Sequence, residues 1–146
     1  MKHRIAVLVF ALFAVVPLVS QAAFTFARFQ EIVSPVKPDG YTVLPSYTKD
    51  MRVKYILGFE KGENRLLFQW VPSISGYLIA TAKETFTWKD RKVLWVGEDP
   101  KEAHLVVLLK NKRGSFSIAW KTADGSVGKA EALALLDGID LSKLES

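Results

Sequence analysis

Apolar and polar residues alternate along most of this chain. Val53, Tyr55, Leu57 and Phe59 fall on one face of an extended segment, with Arg52, Lys54 and Glu60 on the other. Leu66, Phe68 and Trp70 alternate with Arg65 and Gln69, and Phe116, Ile118 and Trp120 alternate with Ser115, Ser117 and Lys121. A period of two in aromatic and β-branched residues is the pattern of half-buried strands. Residues 76–88, 93–97 and 104–110 read as further strands, the last apolar on both faces.

Polar breaks recur at short intervals. Pro38-Asp39-Gly40 is a turn in which proline presets φ and glycine accepts a positive value. Segments 60–64, 71–75, 88–92, 97–103 and 110–114 separate the later strands. Loops this short favour antiparallel neighbours and hence a meander. After Gly128 the period changes: Lys129–Asp137 is rich in helix formers, and Gly138 is a natural stop. The pattern predicts a mainly all-β chain, an antiparallel meander of about seven or eight strands with a short C-terminal helix. A small barrel, a sandwich, or a strongly curved sheet folded around that helix would each suit it.

The first residues follow another rule. Lys2 and Arg4 precede an apolar run from Ile5 to Val19, and Ser20 and Ala22 stand at the −3 and −1 positions of a cleavage site. This is the three-part pattern of a secretory signal peptide. The expected organisation is residues 1–22 as signal peptide and 23–146 as a single β-rich domain. Such a protein is exported, to periplasm or extracellular space, with no transmembrane segment after cleavage. The chain contains no cysteine, which removes disulfides, thiol catalysis and thiolate metal sites.

Few residues suggest catalysis. The one histidine beyond the leader, His104, has no G-x-S-x-G elbow to serve, and it reads as a strand-end residue. Ser-x-x-Lys spacing occurs at Ser34–Lys37, Ser46–Lys49 and Ser126–Lys129, so it carries little information alone. Gly128-Lys129 resembles the end of a phosphate loop, but the hydroxyl position is Ala130. Glu98, Asp99 and Glu102, and likewise Asp137 and Asp140, read as solvated acidic turns rather than a calcium loop. Glu84 shares strand parity with Phe86 and Trp88, so its reading lies between a buried acid and a bulge or strand end that turns it outward. No pattern calls for a cofactor or a metal.

Charge adds the last piece. Without Lys2 and Arg4 the balance is 18 basic residues against 15 acidic, or +3, too small to mark a nucleic-acid binder. In a simple meander the turns near 60–65, 89–92 and 110–114 share one end of the sheet. That end would carry Lys61, Arg65, Lys89, Arg91, Lys92, Lys110, Lys112 and Arg113 against Glu60, Glu63 and Asp90. The expectation is a non-enzymatic binding or accessory protein that docks through Lys89, Arg91, Lys92, Lys110, Lys112 and Arg113. Suitable partners are an envelope protein, an anionic polymer or lipid head groups, with nucleic acid not expected. The alternative is carriage of a small apolar ligand inside a β-barrel lined by Trp70, Trp88 and Trp120. A carboxylate enzyme using Glu84 is the third reading.

Overall fold

The computed structural model describes residues 24–51, 54–74, 76–97 and 101–146. Residues 1–22, expected as a signal peptide, and Arg52, Val53, Glu98 and Asp99 lie outside these residues. Eight strands make one antiparallel sheet: β1 (Thr42–Val43), β2 (Lys49–Asp50), β3 (Tyr55–Lys61), β4 (Asn64–Val71), β5 (Glu84–Trp88), β6 (Arg91–Trp95), β7 (Glu102–Leu108) and β8 (Ser115–Lys121). Their order across the sheet is β1-β3-β4-β8-β7-β6-β5, with β2 also paired to β3. The sheet stays open, with β5 and β1 as its edges.

Alternation decides which face is covered. Leu57, Phe59, Leu66, Phe68, Val93, Leu105, Val107, Phe116 and Ile118 point to one side and are almost wholly buried. Over them lie α1 (Phe26–Val33), α3 (Lys129–Asp137) and α4 (Ser142–Glu145), which add Phe29, Ile32, Val33, Leu136 and Leu144 to the same core. The expected C-terminal helix is therefore present, and Glu131 caps it by accepting a 2.8 Å hydrogen bond from the Gly128 amide.

Two helices depart from the period-two expectation. In α1, Phe26, Phe29, Ile32 and Val33 recur at helical spacing, and the Thr25 hydroxyl accepts from the Arg28 amide as an N-cap. Residues 76–88, read as one strand, split into α2 (Gly76–Thr81) and β5. Leu78 and Ala82 pack on Leu94, Val96 and Val106, which face outward from the sheet. So the chain does not turn directly from β4 into a neighbouring strand; it crosses the outer face to the far edge.

This crossover corrects the expected placement of the turns. Glu84 pairs with Trp95, Trp95 with Leu105, Leu105 with Ile118 and Ile118 with Phe68. β5 therefore starts at the end of the sheet opposite to the one where β4 stops, and every later turn changes ends. The β5–β6 and β7–β8 turns share one end, but the β3–β4 turn, with Lys61 and Arg65, lies at the other. There Arg65 stacks over the Tyr47 ring at 5.5 Å.

Candidate functional site

The end of the sheet that bears the β5–β6 and β7–β8 turns collects all six expected docking residues. Both turns are built alike. Lys89 and Asp90 have φ of 43° and 60°, and Asn111 and Lys112 have φ of 59° and 54°. Two successive left-handed residues give a turn whose twist matches that of the flanking strands. Asparagine, aspartate or glycine normally fills such positions, because a Cβ crowds the following carbonyl. A lysine occupies one of them in each turn.

The same end receives the C-terminal elements, and their carboxylates divide the cations. Arg91 grips Glu145 with its guanidinium, which donates from both Nε and Nη2. The two side chains are only 11% and 6% exposed. The Lys110 amide donates to the same carboxylate at 2.5 Å. Burial alone would raise the Glu145 carboxyl. The bonds from Arg91 and from the Lys110 amide, with the attraction of both cations, outweigh it and hold the pKa below the ordinary 4.5. Lys89 pairs with Asp137 at 2.5 Å on the surface and also lies 4.5 Å from the Trp88 ring centre. Lys92, Lys110 and Lys112 are exposed. Of these, Lys92 and Lys112 form no ion pair with a described residue. Arg113 is half-buried, and its carbonyl accepts from the Trp70 indole at 2.9 Å.

That last contact joins two separate expectations. Phe24, Tyr55 and Trp70 form an aromatic group, with Phe24–Trp70 and Tyr55–Trp70 ring centres 5.0 and 5.1 Å apart. Together with Pro72 and Leu144 they line a surface niche of about 400 Å³ whose rim is Lys112 and Arg113. Trp88 borders a second niche of about 420 Å³ beside Lys89, Arg91 and Asp137. Trp120 lines neither; its indole donates to the Tyr41 hydroxyl at 2.9 Å. The three tryptophans thus do not converge on one cavity, and all three pack against the core beneath the helices.

The remaining candidates have local explanations. Glu84 is the first residue of β5, half-exposed, and its carboxylate accepts from Lys129 at 2.5 Å. Asp140, in the α3–α4 connection, accepts from the Ser142 hydroxyl at 2.5 Å, and Asp137 is the last residue of α3. Among the described residues no cluster of three or more histidine, aspartate or glutamate side chains is arranged to hold a metal ion. His104 lies on the outer face of β7, where burial lowers its pKa against a weaker opposing pull from Glu102. Among the described residues no helix is long and apolar enough to cross a membrane.

Sequence reasoning missed two residues that shape this end. Ile139, Leu141 and Leu144 point to a docked tail, but Glu145 itself carries no signal of burial, since a carboxylate ordinarily stays in water. Lys54 reads as an outward strand residue, yet it closes one end of a groove on the outer face. No protein-family model, curated protein or solved structure matches this chain.

Proposed function

We propose that this chain is an exported, non-enzymatic binding protein that docks an anionic partner with the end of its sheet. The contact residues are Lys92, Lys110 and Lys112, with Arg113 and Trp70 at the aromatic niche beside them. Lys89 and Arg91 belong to the same end but act mainly inward, through Asp137 and Glu145.

The observation that carries this reading is Lys112. It keeps a long cationic side chain at a left-handed position, where asparagine or glycine would sit with less strain. Strain held at an exposed turn is expected where the side chain itself is used. The niche adds an apolar foothold next to the charge, so the partner is expected to offer both an anionic group and an apolar one. An acidic segment of an envelope protein or an anionic lipid surface meets that description.

Native mass spectrometry of the protein isolated gently from its own source tests the proposal. The expected result is a partner or anionic polymer that dissociates as salt rises, since exposed charge pairs are screened within about 10 Å at 0.1 M salt. A partner retained unchanged at high salt would place the binding elsewhere.

A further inference from the structure

The outer face of the sheet holds a second concavity, separate from the basic end. On β8, a central strand, the outward residues Ser115, Ser117 and Ala119 are all small, and only Lys121 at the strand's last position is long. Larger side chains stand on both sides, Leu67 and Gln69 on β4 and Val106 on β7. The result is a trough along β8, overhung by Ile74 and Leu78 where the chain crosses from β4 to β5, with a volume of about 570 Å³. That size is within the usual range for small-molecule sites. From the row of Leu67 to that of Val71 the floor runs four residues, or about 13 Å.

The ends of the trough differ in charge. Lys54 closes one end, half-buried and without an ion pair to any described residue. His104 lines the other, and its imidazole makes no hydrogen bond to a described residue. A cation beside apolar walls is favoured by an anion that replaces lost water. The floor is made of strands already paired on both sides, so no free backbone edge exists to accept a peptide strand. Recognition must come from side chains and from shape.

We propose that this groove binds a small amphiphile, with its apolar chain laid over Ser117 and Ala119 and one anionic head group, carboxylate or phosphate, at Lys54. The groove adjoins the aromatic niche of the basic end at Pro72, which lines both, whereas Lys54, Val106, Ser117 and Ala119 line the groove and not the niche.

Calorimetric titration of the protein with octanoate, octyl phosphate and octanol, with amide NMR shifts to locate each probe, tests it. At least one anionic probe should bind and shift Val106, Ser117 and Ala119. Binding of octanoate alone or octyl phosphate alone identifies the head group. Lys54→Met, which keeps an apolar stem, should weaken the anionic probes about tenfold or more while leaving octanol unchanged. Ser117→Leu should fill the trough and abolish binding of all three. Failure of both anions to bind, or equal affinity in Lys54→Met, would overturn the proposal. So would unchanged binding in a folded Ser117→Leu; if that variant does not fold, Lys54→Met decides alone. Neither substitution touches Lys92, Lys110 or Lys112, so the outcome is independent of docking at the basic end.

Discussion

The turns Lys89-Asp90 and Asn111-Lys112 share a backbone conformation and similar composition, and they lie side by side, yet they serve different ends. The β5–β6 turn is tied into the fold: Arg91, just past its tip, is buried against Glu145, and Lys89 reaches Asp137. The β7–β8 turn points its lysines at solvent, and its backbone takes part in packing, through the Lys110 amide to Glu145 and the Arg113 carbonyl to Trp70. A run of basic residues therefore has no single meaning. What separates the two is the arrival of α4 and its single buried carboxylate, which takes one arginine out of the surface and leaves the neighbouring lysines there.

The sharpest way to break the β7–β8 turn is through its glycine. Gly114 has φ of 87°, and a Cβ there would fall 2.0 Å from the Val71 carbonyl oxygen. Gly114→Ala should destabilise by roughly 3 kcal/mol or more, measured by chemical denaturation, because strain and overlap act together. An almost unchanged midpoint would mean that the turn and the end of β4 are not in contact.

Glu145→Gln attacks the other turn. Leaving Arg91 buried without its counter-charge should cost roughly 3 kcal/mol at neutral pH. The pH dependence has a definite sign. Because the folded pKa of Glu145 lies below 4.5, its contribution is present above that value and is lost as pH falls through the folded pKa. The difference between Glu145→Gln and the wild type should therefore shrink in strong acid. A constant gap from neutral pH to strong acid would refute the ion pair as its source.

Lys112→Gly gives a smaller effect of opposite sign. Relief of left-handed strain, less the added freedom of glycine in the unfolded chain, should raise stability by about 0.5–1 kcal/mol. Binding to an anionic partner should weaken in the same variant. A gain of stability with no loss of binding would leave the strained lysine without the use assigned to it. Smallest of all, Lys89→Ser removes an exposed pair with Asp137 and should change stability by less than about 1 kcal/mol. A larger loss in thermal denaturation would show that Lys89 holds the α3–α4 segment in place.

These contrasts also mark how far the sequence could be read. The strand cores at Leu57, Phe68, Phe116 and Ile118 were legible because alternation is a direct consequence of pleating. The helix after Gly128 was legible from its change of period. The six residues of α2 were not, because Tyr77-Leu78-Ile79 suits a strand as well as a helix and only packing on Leu94 and Val106 decides. That one short helix reverses the ends of all later turns, which is why Lys61 and Arg65 do not join Lys92 and Lys112. α1 was hidden for a related reason, since Phe24 and Phe26 fit alternation until Phe29 and Ile32 break it. At the basic end, residue types were readable from the turns, but their division into inward and outward cations depended on Glu145, some 35 residues away along the chain from Lys110.

The most direct test of the account compares Lys92→Ser/Lys110→Ser/Lys112→Ser with Lys89→Ser in co-sedimentation with vesicles containing or lacking phosphatidylglycerol, over a range of salt. The expected result is salt-sensitive binding of the wild type to the anionic vesicles, retained by Lys89→Ser and lost in the triple variant with its fold intact. Equal binding by all three proteins, or binding that ignores both salt and the anionic lipid, would contradict it.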